Sequence, residues 1–571
     1  MRISPVWRPP KVDVKDASVQ TLRQALDLNP VIAQILVSRG ITSPELASQF
    51  LHPALDQLHD PFLLTDLGVG VDRVLAAIAG GERIAVHGDY DVDGVTSTVM
   101  LRRLIELLGG DVVHHIPERL TDGYGLQVEG IDRLKALGVR VAISVDCGIR
   151  SQAAAARAKD VGIDLVITDH HEPETTLPPA FAVINPRRHD CPYPDKDLAG
   201  VGVAFKFVQG LCARTDRTGW IPGFLKLAAF GTLADLVPLR GENRVIASLG
   251  LDRLTRGPHT VGLRALIEAC GLSGKKIGSS EVGFQLAPRV NAAGRMSTPD
   301  LATRLLLSID ESDAEIARDL ARKLDDENTR RRQEEAAILD DARRRILALP
   351  EIGAQNLIVV WGDGWHRGVI GIVASKLVDQ FCRPVVVLSV DGDIAHGSGR
   401  SIPGFDLLSA LEQCADLFVR FGGHRQAAGL AIETSRLPEL QHRLADHANK
   451  LLGPDDLAPR LGIDARLSLS SIDQSLMDGV TSLEPFGVGN RRPVFHADPV
   501  EIVDGPHTMK DLHLRMTVKQ GRSRFRAVSW RDADRQRFYR DHSDALNMAF
   551  SLTENTFRGR TSIELNVADV K

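Results

Sequence analysis

Four ionisable side chains, His87, Asp89, Asp91 and Asp93, fall within seven residues, directly after the apolar run 84–86. Gly94 follows, and a helical pattern begins. At the mouth of a buried strand, such a cluster repels itself and costs desolvation energy. A fold retains it only where a cation neutralises it or water solvates it fully. The stretch IAVHGDYDVDGVTST (84–98) therefore reads either as a divalent-metal site or as a solvated Asp-Gly turn.

At 571 residues the chain is too long for one core, and three or four domains are expected. A net charge of -5 gives no global sign of nucleic-acid binding, so such a partner would need a local basic surface. The six cysteines are far apart without zinc-ligand spacing, which points to a reducing compartment. The first residues lack the apolar core of a signal peptide, and no stretch of 18 uncharged apolar residues occurs. The expectation is a multidomain cytoplasmic protein without a membrane span.

Residues 18–50 read as three small helices with no evident chemistry. From about residue 70 apolar strands alternate with helices: RIAVH, VVHHIP, VRVAISVD, DLVITD and FAVINP are separated by helical patterns at 95–108, 128–137 and 151–160. This pattern specifies an open parallel α/β sheet, in which ligands sit beyond the carboxyl ends of the strands. Asp89, Asp91 and Asp93 follow one strand, Asp146 closes a second, and Asp169, His170 and His171 close a third. A helix at 224–239 carries the lone carboxylate Asp235, readable as buried in the site or as exposed at the helix end.

Residues 245–350 read as mostly helical, interrupted by a polar loop at 284–297 that holds Asn291, Gly294 and Arg295. The charge-balanced run 312–347 is a solvated connector helix. A second α/β segment starts near 356. Its glycines 397 and 399 serve either a turn or close approach to phosphate, beside the donors Ser398, Arg400, His424 and Arg425. From about 456, short β pieces suggest a small barrel. Residues 510–540 are basic, with Phe525, Trp530, Phe538 and Tyr539 interleaved, which suits either a single-strand groove or an ordinary core with a basic rim.

His87, Asp89, Asp91, Asp93, Asp146, Asp169, His170, His171 and Asp235 form a donor set suited to manganese or magnesium. It has enough ligands for two ions about 3.5–4 Å apart, the arrangement that hydrolyses phosphate esters.

HGDYDVDG (87–94), SVDCG (144–148), TDHHEP (168–173) and LADLVPL (233–239) resemble, in order and spacing, the four motifs of the DHH phosphoesterase superfamily. NAAGR (291–295), GSGRS (397–401), GGHRQAAGL (422–430) and LEPFGVGNRRPVF (483–495) resemble features of its RecJ family of single-stranded-DNA exonucleases. The resemblance implies a helical preface (1–65), a DHH catalytic domain (66–245), a helical region with a connector (246–350), a DHHA1-like substrate-binding lobe (351–455) and an OB-fold barrel (456–571). It implies that His87 and Asp91 bind one ion, that Asp93, His170 and Asp235 bind the other, and that Asp146 bridges them. Asp89 and His171 match the catalytic motifs, His171 as a contact to the scissile phosphate, with Asp169 orienting an imidazole. Arg119, Asn291, Arg295, Ser398, Arg400 and His424 match substrate-binding positions. The implied activity is 5′-to-3′ hydrolysis of single-stranded DNA to mononucleotides in recombination and repair, with two divalent ions (manganese preferred, or magnesium). Single-strand-binding protein and a helicase are implied partners, and a monomer is expected. The alternatives are a DHH enzyme acting on pyrophosphate or short oligonucleotides, and a non-catalytic scaffold that binds single strands.

Overall fold

Short runs rich in β-branched residues form strands β1 (Ile84–Gly88), β2 (Val112–His115), β3 (Val141–Val145), β4 (Asp164–Thr168) and β5 (Ala182–Ile184). The structure is a computed structural model that describes residues 4–119, 122–123, 125–349, 355–557 and 559–571. Part of the stretch IPERLTDGYGL (116–126), which holds Arg119, and the expected boundary at 350/351 lie outside the described residues. The five strands pair in the order β2-β1-β3-β4-β5, all parallel. Gly88 pairs with Val145, Val145 with Thr168, and Thr168 with Ile184. The residues that follow therefore emerge along one edge.

Helices α1 (Val92–Leu107), α2 (Gly200–Arg214) and α3 (Ile221–Ala234) pack on one another beside this sheet. Ile131, Leu134, Ala154, Ala155 and Ala158, from two further helices, join Ala85, Ala142, Leu165 and Ile167 of the sheet in a separate core. The helix expected over 224–239 stops at Ala234. Asp235 caps it, and Leu236, at φ 62°, turns the chain away before Pro238.

The stretch 284–297, expected to be a polar loop, is helical. A π-turn (Val282–Leu286) leads into α4 (Ala287–Met296), with Pro288 tolerated in the first turn. Ala287, Val290, Ala292, Ala293 and Gly294 are buried, and Asn291 and Arg295 are spaced i,i+4 on one face. The small residues that resemble a loop are what allow close packing. The connector is α5 (Ala314–Leu347), with a buried stripe at Ala317, Leu320, Ala321, Leu324, Ile338, Ala342 and Ile346 and ion pairs along its surface.

The second sheet holds β6 (Ile358–Asp363), β7 (Val385–Asp391), β8 (Ile394–Arg400), β9 (Phe418–His424) and β10 (Ala427–Glu433), ordered β9-β10-β8-β7-β6. Only the β6–β7 pairing is parallel. Glycines 397 and 399 lie within strand β8, not in a turn. Both sheets belong to one compact unit, His59–Val237 with Leu249–Ala458.

The other unit joins Ser4–Leu58, Pro238–Ser248 and Pro459–Lys571. It contains β11 (Ala465–Arg466), β12 (Phe495–Met509), β13 (His513–Gln520), β14 (Ser523–Ser529), β15 (Leu546–Phe557) and β16 (Arg560–Val570). Pairings run β12-β13-β14-β16-β15 and return to β12, and β11 adds to β12. This is OB-fold topology. The helices Ala17–Leu26, Pro30–Ser38 and Pro44–Leu51 share its core: Val19, Leu22, Ile32, Ile35, Leu36 and Phe50 cluster with Leu476, Val480, Phe495, Tyr539 and Phe550. No described helix is long and apolar enough to cross a membrane.

Arg244 ties this unit together. Buried, it donates to the carbonyls of Phe50, Leu483 and Glu484, and its guanidinium lies 3.6 Å from the Phe50 ring centroid. Burial, with the Arg39 charge, lowers its pKa to about 9. Arg244→Ala takes the donor from the carbonyls of Phe50 and Glu484, while that of Leu483 keeps Asn490 Nδ2 at 2.8 Å. It is expected to destabilise this unit by about 3 kcal/mol or more, read as a shift of its urea-unfolding transition.

Candidate active site

Every group singled out at the strand ends reaches one edge of the first sheet. Beyond β1, Asp91 is the N-cap of α1, its Oδ1 accepting from the Gly94 amide at 3.1 Å. A side chain at Gly94 would collide with the backbone of Asp89, so this turn requires glycine. Asp93, in the first turn of α1, accepts from the Gly200 amide at 2.8 Å and the Val201 amide at 2.5 Å, at the start of α2. Two helix N-termini thus face Asp93 and favour its negative charge. Asp146 follows β3 with φ 58°, a conformation unusual for a residue other than glycine. A Cβ on Gly200 would lie 2.5 Å from Asp146 Oδ1, so Gly200 permits this close approach.

The carboxylates converge. Ligand atoms of Asp89, Asp91 and Asp146 lie within 4.8 Å of one another, as do those of Asp93, His170 and Asp235, and those of Asp146, His170 and His171. His170 Nε2 is 3.2 Å from Asp146 Oδ1 and 3.7 Å from Asp235 Oδ2, yet none of these atoms makes a hydrogen bond. Asp89 Oδ1 and His87 Nε2 are also buried without a hydrogen-bond partner. Such orphaned atoms are costly unless something else pairs with them, and a divalent cation suits this oxygen-rich set with neutral imidazoles. The residues fit the metal. His87 stands outside the three groups: Asp89 joins Asp91 and Asp146, while His87 Nδ1 lies 3.1 Å from His115 Nδ1.

Burial and mutual repulsion raise the pKa of Asp89, Asp146 and Asp235 well above the carboxylate range, and that of Asp93 to about 7. Burial lowers His87 to about 3 and His170 to about 4, leaving both neutral with a lone pair to offer. His171 differs. Burial opposes its charge, but Asp169, 2.8 Å from its Nδ1, outweighs that and raises its pKa. Asp169 is itself held at about 2: burial opposes ionisation, and the His171 bond with further donors overcomes it. Adjacent histidines are thus shifted in opposite directions.

The substrate-binding candidates stand at the same site. The Arg119 guanidinium lies 5.0 Å from the Tyr90 ring centroid. Asn291 Oδ1 accepts from the Val92 amide at 3.2 Å, and Arg295 donates to the Gly368 carbonyl at 3.1 Å. Arg400 donates to Ser398 Oγ at 3.0 Å. Burial and the nearby charges of Arg119 and Arg400 lower Arg295 to about 9. Burial, with the charges of Arg150 and His171, lowers His424. Sequence patterns missed His115 and Arg187; Arg187 acts electrostatically on both His170 and Asp235. The signal for Arg187 was its place just past β5, at the same sheet edge.

The paired lobes and the ligand-bearing edge define a phosphoesterase of the DHH class. The family models agree: "DHH family, N-terminal domain" matches residues 83–232, "DHHA1 domain" 354–450 and "RecJ OB domain" 463–569. The single-stranded-DNA-specific exonuclease RecJ of Salmonella typhimurium is 32% identical over 572 residues, covering 96% of this chain and 97% of that protein. Its Bacillus subtilis counterpart is 39% identical over 526 residues, and the match spans 91% of this chain but 65% of that longer protein. RecJ from Thermus thermophilus in complex with Mn2+ superposes with a TM-score of 0.84 at 30% identity, over 99% of this chain and 79% of that one. An exonuclease RecJ bound to manganese gives 0.61 at 35% identity, over 71% and 98%. The chain belongs to the RecJ family.

A carboxyl with a raised pKa costs no stability below its unfolded value of 3.8 and a growing amount as pH rises towards the folded value, about 7 for Asp93. Asn at 146 keeps the shape, tolerates positive φ and removes one repelling charge. Metal-free Asp146→Asn is therefore expected to match the parent Tm near pH 4 and to exceed it by roughly 3 °C at pH 8. Scanning calorimetry across pH checks this, and added Mn2+ should reverse the order.

Proposed function

We propose that this chain is a metal-dependent exonuclease that hydrolyses single-stranded DNA from the 5′ end to mononucleotides. The observation that carries the reading is the set of buried atoms on Asp89, Asp146, His170 and Asp235 that lack hydrogen-bond partners and belong to groups of closely spaced ligand atoms. In this reading His87 and Asp91 hold one divalent ion, manganese or magnesium. Asp93, His170 and Asp235 hold a second, with Asp146 between them and Asp89 beside the first. Bound there, the ions supply charge neutralisation at the scissile phosphate and a water activated for attack.

The protein's own groups do the rest. His171, whose charged form Asp169 favours, donates to a non-bridging oxygen of the scissile phosphate, and His424 approaches from the second lobe. Arg119, Arg295, Arg400 and Ser398 cluster as a cationic cradle for the terminal 5′-phosphate, with Asn291 fixing the start of α1 against α4. The OB unit favours a polymer over pyrophosphate. There Arg526 pairs across from Thr517 and Arg524 from Lys519, and Trp530 is 54% exposed, edge-on to His513 at 4.8 Å. Single-strand-binding protein and a helicase are the partners this activity calls for, and the cytoplasm is its place.

Two assays test the reading. Strands labelled at the 5′ or 3′ end, duplex and pyrophosphate are compared with Mn2+, Mg2+ or chelator. Labelled mononucleotide should appear first from the 5′ label, and chelator should stop all turnover. Release from the 3′ label first, or equal turnover of pyrophosphate, would overturn it. Separately, Trp530→Ala with Arg526→Ala should weaken binding of a long single strand about tenfold and leave hydrolysis of a dinucleotide unchanged.

A further inference from the structure

A cleft of about 420 Å3 opens in the catalytic lobe, lined by Glu172, Arg187, Arg188, His189 and Lys196. Four of these five residues are basic or imidazole. Two of the cations have structural duties. Arg188 is buried and bound to Asp66, Asp190 and the Val183 carbonyl, and Lys196 Nζ donates to the carbonyls of Pro186 and Cys191. Arg187 is held differently. Its Nε donates to the Lys196 carbonyl at 3.1 Å, but its two terminal nitrogens reach only exposed carboxylates, Glu172 and Asp197, each at 3.5 Å. These are long contacts between partly exposed charges, which water and a competing anion displace at little cost.

The loop beneath Arg187 is fixed to the active site. Asn185 Nδ2 donates to the His171 carbonyl at 2.8 Å, and Asn185 Oδ1 accepts from the Arg187 amide at 2.7 Å. The Asp169 amide donates to the Ile184 carbonyl just upstream. The Arg187 charge is consequently felt by His170 and Asp235, whereas the charges of Arg119 and Arg295 are felt by Tyr90. Arg187 is thus tied through Asn185 to the His171 end of the cluster, while Arg119 lies over Tyr90, between Asp89 and Asp91 in the chain.

We infer that Arg187 and its cleft bind the backbone phosphate one nucleotide to the 3′ side of the scissile bond. The inference rests on the 5′-exonuclease reading above. There the Arg119, Arg295 and Arg400 cradle takes the terminal phosphate, so the continuing strand leaves by the opposite flank. Arg187 exchanges its loose contacts with Glu172 and Asp197 for a phosphate it grips with both terminal nitrogens, while Nε stays on the Lys196 carbonyl. Arg187 in this role positions the strand; it does not bind the ions.

The test is a double cycle on a 5′-phosphorylated single strand with Mn2+. One arm replaces Arg187 with Ala. The other makes the linkage one nucleotide 3′ of the scissile bond a neutral methylphosphonate. Each change alone should raise KM about tenfold, and together they should do no more than either alone. Arg187→Lys should recover part of the loss on the normal strand and none on the methylphosphonate. Mn2+ binding to Arg187→Ala, followed by calorimetry, should match the parent, which separates strand positioning from collapse of the metal site. Independent, multiplying effects of the two changes, or weakened Mn2+ binding, would overturn the inference. If the unsubstituted protein cleaves no single strand, the underlying functional reading fails instead.

Discussion

Repulsion among carboxylates gathered at one sheet edge is the constraint to which the catalytic unit is built. Asp89, Asp93 and Asp146 are buried, Asp91 and Asp235 partly so, and few of their oxygens find donors. The fold answers in part, with the N-terminus of α1 under Asp91 and the start of α2 under Asp93. What remains uncompensated is what a pair of cations would neutralise. The strained backbone at Asp146 belongs to the same bargain: stability is given up where the chemistry needs a group aimed inwards.

Charge state is then divided among three histidines by their immediate neighbours. His87 and His170 lose their protons to burial and become donors of lone pairs. His171, next in sequence to His170, has its pKa raised because Asp169 turns towards it, and Asp169 is steadied by the amides of Ile149 and His170. A single buried aspartate thus gives two identical, adjacent residues different environments.

Much of this was legible in the sequence because it follows from periodicity. The five strands of the first sheet fall where apolar runs alternate with helices, and the edge rule alone places Asp89, Asp146 and His170 together. Helix ends were harder. Asp235 is brought into the site by α3 stopping at Ala234, an ending set by the left-handed Leu236 and not by the proline that the sequence advertises. The stretch 284–297 misled because glycine, alanine and asparagine mark loops and tightly packed helices alike. Arg187 stayed hidden because its significance lies in His170, 17 residues upstream, and Asp235, 48 downstream, which only the folded sheet brings close.

The OB unit is assembled from both ends of the chain and an eleven-residue piece of its middle. The helices at 17–51 pack on one another, but the rest of the core they share is not available until residues 465–570 have left the ribosome. At ordinary elongation rates that delay is on the order of half a minute to a minute. During it the nascent chain carries exposed leucine and isoleucine side chains, which makes it a client for chaperones. Premature termination just after Ala458 would release the catalytic unit trailing a sticky amino-terminal arm.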